Sequence, residues 1–370
     1  MAIESVHIQN FKSIRDSGPI AIKPINVLIG PNGVGKSNFI GFFKFLNMLF
    51  EKQLQNHIAR KGRADGIMYF GRQSGFLAGK IAFTNDEDKI ANRYRFKMEP
   101  DQSNSLFFTE EFSDYNMQAR YSDEVSWSTK PINTGGSYET KLHEVANSTR
   151  TEFLKEFFES FKIFHFHDTS DSSKLKGFCN ATDYEYLVED GSNLPAFLHR
   201  MKETAAANFK MLEFTVKSIA PFIDSLYLQP DSINTNQIEL RWKEKGHDNL
   251  FNTYSLSDGT LRFICLCTLL LQPAPPSTII IDEPELGLHP FAISKLAAML
   301  RSASDVAQII VSTQSVNLVN EFTPEDIIVV ERSGSQTVFE RQSADSLKHW
   351  LEDYSLGELW EKNILGGRPR

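Results

Sequence analysis

The chain has 370 residues, 41% of them hydrophobic and 23% charged, an ordinary globular composition that excludes a disordered chain and a fibrous repeat. At about 150 residues per domain, this length holds two domains or one elaborated one. A net charge of −8 from 39 basic and 47 acidic residues excludes a uniformly basic nucleic-acid coat but leaves room for a local basic groove.

The three cysteines, Cys179, Cys265 and Cys267, are too few for a disulfide framework and fit a reducing compartment. Cys265 and Cys267 stand two apart in an apolar helix and read as packing residues. The apolar run Phe263 to Leu271 falls well short of the roughly 20 residues a membrane helix needs. The start lacks a basic segment followed by an apolar one, so no secretory signal is expected and the expected location is the cytoplasm.

In chain order, strands are predicted at Ile3 to Ile8 and at Ile20 to Ile29, the second running into Gly30-Pro-Asn-Gly. Phe39, Phe43, Leu46 and Phe50 then recur at helical spacing, with one face expected to be buried. From about 66 to 130, short runs (Gly79 to Phe83, Arg93 to Lys97, Ser105 to Thr109) separated by Asn, Asp and Ser read as an antiparallel β insert. Residues 131–147 read as a loop, Phe153 to Phe161 as a short helix and Ile163 to His167 as a strand. Residues 183–219 have helical spacing, with Leu194, Phe197, Leu198 and Met201 on one face. Gln237 to Trp242 reads as a strand, and Gln272-Pro-Ala-Pro-Pro-Ser as a connector before strands and helices alternate again. The resulting division is a lobe at 1–60, a β-rich insert at 61–147, a helical lobe at 148–240 and a final lobe at 241–370. No repeat and no long heptad run is present.

Gly30-Pro-Asn-Gly-Val-Gly35-Lys36-Ser37 matches GxxxxGK[ST] in full, between a buried strand and a helix, which is the context a phosphate-binding P-loop (Walker A) requires. Its glycines let backbone N–H groups point at phosphate oxygens, and the helix N-terminus adds partial positive charge. Asn32, Gly33, Gly35, Lys36, Ser37 and Asn38 are the candidate nucleotide contacts. Lys36 is expected to reach the β- and γ-phosphates, and Ser37 to ligate magnesium. Thr278-Ile-Ile-Ile-Asp282-Glu283 reads as a parallel strand buried on both faces and ending in two carboxylates. Asp282 is the candidate magnesium residue and Glu283 the candidate base for a water attack. Two adjacent buried carboxylates repel without a cation, which makes a purely structural acidic pair the weaker reading. Leu256-Ser257-Asp-Gly259 fits a helix N-cap as readily as a nucleotide contact when taken alone.

Motif order separates these readings. Strand, P-loop, long insert, Tyr254 to Thr260, Asp282-Glu283, then Glu285-Leu-Gly-Leu-His289-Pro290 resembles the ATP-binding-cassette (ABC) ATPases, with Ser257 and Gly259 in an LSGGQ-like signature. With Ile8-Gln-Asn-Phe11-Lys12-Ser13-Ile14 and Ser312-Thr-Gln314-Ser315 added, the chain resembles the ATPase heads of the SMC, RecF and OLD group, above all the stand-alone RecF/OLD-like "AAA family" ATPases of bacteria. Weaker echoes are His165 to Ser170 and Leu356 to Trp360 with Gly366-Gly367. The resemblance implies an α/β fold, an ABC-type head with a mainly parallel central sheet, an antiparallel β insert and a helical lobe. It implies ATP and magnesium as cofactors. It also implies an ATP-dependent homodimer in which Ser257 and Gly259 of one copy cap the phosphates held by Lys36 of the other.

Gln314 stands where transporter ATPases place a switch His; it can hydrogen-bond a γ-phosphate but cannot take a proton. No Q-loop glutamine is evident, and His167 or Asp168 falls in that region. Asp86-Glu-Asp88 reads as a solvated turn, so no nuclease is expected. The expected function is an ATPase that regulates a separately encoded effector, such as a nuclease or toxin, in anti-phage defence. The alternative is a RecF-like DNA-binding repair ATPase, with Arg60-Lys-Gly-Arg63 and Arg368-Pro-Arg370 as its basic clusters. A transporter subunit would need the missing switch His and Q-loop, and no membrane partner is expected.

Overall fold

A computed structural model of the chain describes residues 2–85, 90–116, 127–145 and 149–367. Asp86-Glu-Asp88 and Arg368-Pro-Arg370 lie outside these residues. Elements are numbered along the chain, which divides into two compact units, Met1–Phe161 with Pro324–Arg370, and Lys162–Thr323.

The first unit opens with β1 (Ala2–Phe11) and β2 (Ile14–Ala21), then β3 (Ile25–Ile29). The apolar stretch at 20–29 is therefore two strands. Pro24 has no N–H to offer a ladder, and the Asn26 side chain closes the break by bonding Lys23 N and O at 2.9 and 2.7 Å. All five β3 residues are buried, as expected of a parallel strand covered on both faces. After β3 come α1 (Lys36–Phe50), α2 (Leu54–Arg60) and α3 (Arg63–Ile67). The β insert is β4 (Leu77–Asn85), β5 (Ile90–Pro100), β6 (Leu106–Asn116) and β7 (Ser128–Asn133), followed by α4 (Thr149–Ser160). Strand β7 takes in the first residues of the stretch expected to be a loop.

Strands β2-β1-β4-β5-β6-β7 make one antiparallel sheet. One face of it packs against α1, which buries Phe39, Phe42, Phe43 and Phe45 on several sides rather than along one stripe. Phe42 and Phe45 pack edge-on against Phe11 with ring centroids 5.5 and 5.7 Å apart, and both stack on Phe96, an arrangement favoured by the ring quadrupoles. The chain returns to this unit as β16 (Ile327–Ser333), β17 (Gln336–Arg341), α10 (Ala344–Leu347) and α11 (Leu356–Glu361). Strand β16 runs parallel to β3, pairing Val329 with Ile29, and antiparallel to β17.

The second unit carries β8 (Phe161–Phe164), β9 (Cys179–Asn180), α5 (Leu194–Thr204), α6 (Ala206–Ile219), β10 (Ile223–Tyr227), β11 (Gln237–Ile238), β12 (Arg241–Glu244) and β13 (Leu250–Asn252). It continues with α7 (Asp258–Leu271), β14 (Thr278–Asp282), α8 (Pro290–Ala303), β15 (Gln308–Ser312) and α9 (Val316–Val319). Strands β14 and β15 are parallel, from Thr278↔Gln308 to Asp282↔Ser312. Helix α7 is buried nearly all round, Cys265 and Cys267 included, and burial raises both thiols. The expected helix over 183–219 begins only at Leu194. The buried Asn193 side chain fastens the preceding loop to Asp183 O, Tyr186 O and Val188 N, and Pro195 fits the first helical turn. The expected strand at 237–242 splits between two sheets, β11 pairing with β9 and β12 with β10 and β13. Among the described residues no helix is long and apolar enough to cross a membrane.

Candidate functional site

In the first unit, the loop between β3 and α1 holds Asn32 to Asn38. Gly30, Gly33 and Gly35 have φ of +148°, +79° and +119°, outside the range L side chains favour. A side chain at Gly33 would meet nothing within 4 Å, whereas one at Gly35 would strike the Thr337 hydroxyl and approach Ser13 Oγ at 2.9 Å. Helix α1 has no side-chain cap at its N-terminus, where an anion is the natural partner of the first-turn N–H groups. Lys36 is 5% exposed. Its Nζ donates to Gly30 O at 2.5 Å and Pro31 O at 3.1 Å, holding the ammonium inside the loop. Asn32, Gly33 and Ser37 are exposed.

Behind the loop runs a directed chain of hydrogen bonds. Thr337 Oγ1 donates to Val34 O at 2.6 Å, so the 2.7 Å contact between Thr337 Oγ1 and Ser13 Oγ must use the serine's proton. Asn38 Nδ2 donates in turn to Ser13 Oγ at 2.7 Å. Asn38 thus braces the loop from inside. Thr337, fully buried on β17, was not singled out in the sequence, where an edge-strand threonine carries no local signal.

In the second unit, the parallel register of β14 and β15 puts Asp282 beside Ser312, whose hydroxyl donates to Asp282 Oδ1. Glu283 follows at φ +43°, a strained conformation for a non-glycine residue, held by its N–H on Ser312 O at 2.8 Å. Gln314 Nε2 donates to Glu283 Oε1, so two of the expected catalytic side chains touch. Beneath them, Glu285 Oε1 accepts from Thr313 Oγ1 at 2.5 Å and Gln314 N at 3.2 Å, while its Oε2 is buried without a partner. Burial first, with a contribution from the Glu283 charge, raises the Glu285 carboxyl above the ordinary range despite those bonds.

Ser257 caps α7, its Oγ accepting Thr260 N at 3.2 Å, and remains exposed. A side chain at Gly259 would run into Gly287 O, and one at Gly287 would lie 2.9 Å from Arg262 Nη1. Arg262 was also missed in the sequence. From the second turn of α7 it donates to Leu286 O at 2.9 Å, Phe166 O at 3.2 Å and His167 O at 2.7 Å. The strand expected to reach His167 ends at Phe164, beyond which His165 N bonds Glu189 O at 2.9 Å and Arg262 takes the next two carbonyls. Asp168 is exposed and closes a local turn with Ser170, whose hydroxyl and N–H hold the carboxyl low.

In the first unit, left-handed glycines, an uncapped helix start and a buried ammonium resting on carbonyls fit phosphate oxygens on chemical grounds; in the second, a carboxylate pair with an amide donor fits a hydrated cation or an attacking water. Among the described residues no cluster of three or more His, Cys, Asp or Glu could hold a metal ion by itself. Magnesium commonly draws several of its ligands from phosphate and water.

The family described as "AAA domain, putative AbiEii toxin, Type IV TA system" matches residues 25–320. No curated protein matches the sequence. Among solved structures, an SMC head bound to the C-terminal winged-helix domain of ScpA is similar at TM-score 0.61 and 16% identity, over 94% of this chain and 100% of that one. An SMC head with an extended coiled coil, bound to the C-terminal domain of ScpA derived from Pyrococcus furiosus, is similar at TM-score 0.55 and 15% identity, over 95% and 98%. These likenesses show the α/β fold of an SMC-type ATPase head.

Proposed function

Because this chain belongs to the AAA domain family described as a putative AbiEii toxin of a type IV toxin–antitoxin system, we propose that it binds and hydrolyses ATP, dimerises on ATP and regulates a separately encoded effector in bacterial anti-phage defence. The observation that carries the enzymatic part is the Glu283–Gln314 pair beside Asp282 at the carboxyl ends of two parallel strands, where α/β proteins carry out their chemistry. The toxin–antitoxin description supports a role beside a second gene product. The SMC heads of similar fold are recorded bound to ScpA, which supports a protein partner here.

Bound magnesium–ATP supplies the scissile γ-phosphate and charge neutralisation on it. The rest falls to the chain. Loop N–H groups and the Lys36 ammonium, released from Gly30 O and Pro31 O, take the phosphate oxygens. Ser37 and Asp282 would hold the metal. Glu283 accepts a proton from the attacking water, and Gln314 fixes the carboxylate that does so. Ser257 and Gly259 of a second copy close over the γ-phosphate, and Arg262 ties that signature turn to Leu286 and Gly287.

Glu283→Gln retains the acceptor shape but loses the base. Light scattering on this variant should give a monomer alone and a dimer with magnesium–ATP, with hydrolysis lost. An assembly indifferent to ATP overturns the clasp.

One observation favours the RecF-like alternative. Burial, then the charges of Lys61, Lys44 and Lys12, push His57 down to about 4, which marks a gathering of cations on α1, α2 and the β1–β2 turn. Duplex binding with a steep salt dependence, present only with ATP, would support it.

A further inference from the structure

The motif Leu356 to Trp360 with Gly366-Gly367 plays no part in the functions proposed so far. In the first unit Ser355 opens α11 with a capping box to Glu358, and Leu356, Leu359 and Trp360 are buried. Asn363, at φ +59°, then reverses the chain, and Ile364 N bonds Leu359 O at 2.9 Å. The return lays Gly367 between Trp360 and β16. Its N–H donates to Glu331 Oε1, and its carbonyl accepts the Trp360 indole N–H at 3.4 Å.

Both glycines are left-handed, at φ +82° and +76°, a conformation that L side chains rarely adopt. At Gly366 one would strike the Glu331 carboxylate. At Gly367 it would lie 3.1 Å from Val329 Cγ1, 3.4 Å from Trp360 Nε1 and 3.5 Å from Gly30 Cα. Gly30 is itself confined, because a side chain there would meet Val330 O and approach Val34 Cγ2 at 3.2 Å. Gly30 is also the residue whose carbonyl holds the Lys36 ammonium. A side chain added to this C-terminal strap at Gly367 would therefore press on Gly30, the residue whose carbonyl holds the phosphate-binding lysine.

We propose that Gly366 and Gly367, fastened by Trp360 and Glu331, are positioning residues for the P-loop: they seat Gly30 and through it set how tightly the loop takes a nucleoside triphosphate. The proposal rests on the ATP reading of Gly30–Ser37. It assigns the strap an effect on nucleotide affinity that is separable from its effect on folding.

The test measures binding of a fluorescent ATP analogue, and thermal midpoints without nucleotide, on the full chain. Gly367→Val should weaken binding about tenfold, equivalent to ~1.4 kcal/mol, with the midpoint within a few degrees of wild type. Trp360→Phe keeps the ring but removes the indole donor, and should weaken binding about threefold, the scale of one neutral hydrogen bond. Gly18→Ala is the control, because Gly18 is also left-handed at φ +59° but a side chain there meets nothing within 4 Å; it should bind as wild type. A folded Gly367→Val with unchanged affinity overturns the proposal. If that variant does not fold, unchanged affinity in both Trp360→Phe and Glu331→Gln overturns it instead. Wild type that binds no analogue overturns the ATP reading and the strap with it, whereas binding by wild type and unchanged variants overturns the strap alone.

Discussion

Thr337→Val is the substitution that most directly tests how the P-loop is held. It is nearly isosteric, so packing on β17 is retained, but the hydroxyl that donates to Val34 O and accepts from Ser13 disappears. A buried hydrogen bond contributes about 1 kcal/mol net, and a partner left unsatisfied costs about 1–3 kcal/mol more. Val34 O cannot turn away, while Ser13 is only partly buried and can rotate, so the sum is held to about 2 kcal/mol. The new methyl also faces Gly35, which must remain glycine because a side chain there would strike residue 337. The expected result is a thermal midpoint lower by ~4–8 °C and ATP binding weaker by about three- to tenfold. The decisive measurement is a cycle with Ser13→Ala, since members of one hydrogen-bonded chain should be non-additive by ~0.5 kcal/mol or more. A neutral Thr337→Val, or strict additivity with Ser13→Ala, would refute the directed chain.

Three other outcomes follow from the same geometry. Arg262→Ala removes three bonds to backbone carbonyls and should lower kcat by about tenfold with ATP binding to the monomer retained, a loss of ~1.4 kcal/mol in the transition state; equal loss of binding in a titration would show Arg262 to be only structural. For Glu285, burial lifts the folded carboxyl above 4.5, so folding is penalised once the group must ionise. Stability should therefore decline as pH rises through the folded value, and urea titrations of Glu285→Gln should lack that decline. For His57, a folded value near 4 against 6.5 unfolded means the unfolded chain binds the proton the native state refuses. Stability should fall from pH 6.5 towards 4, by roughly 1 kcal/mol at pH 5 after discounting a half-exposed group, and His57→Gln should flatten that limb.

What was legible in the sequence was local. The P-loop shows because its glycines, lysine and serine adjoin one another, and Asp282 with Glu283 shows because a β-branched run announces the strand beneath. The pairing of Glu283 with Gln314 follows once β14 and β15 are known to be parallel, as their periodicity suggests. Arg262 and Thr337 were illegible for the opposite reason. Arg262 binds carbonyls 95 and 96 positions away, and Thr337 meets Val34 across 303, so neither contact leaves a pattern in neighbouring residues. Periodicity also overran its limits at Pro24 and at Asn193, where a missing donor in one case and a side chain bonded to the backbone in the other stop the element. The β insert was legible as β but not in its boundaries, and the split of 237–242 between two sheets depends on partners far along the chain.

The first unit is built from two segments far apart in the chain, Met1–Phe161 and Pro324–Arg370, and this sets an order on its assembly during synthesis. Strand β3 and the P-loop leave the ribosome first, yet β3 pairs with residues 327–329 and Val34 O accepts from Thr337. At ~5–20 residues per second, some 300 residues separate the two halves by tens of seconds. A nascent chain would spend that interval with its phosphate cradle unfinished, so competence for nucleotide would arrive only after β16 and β17 had been made and had docked.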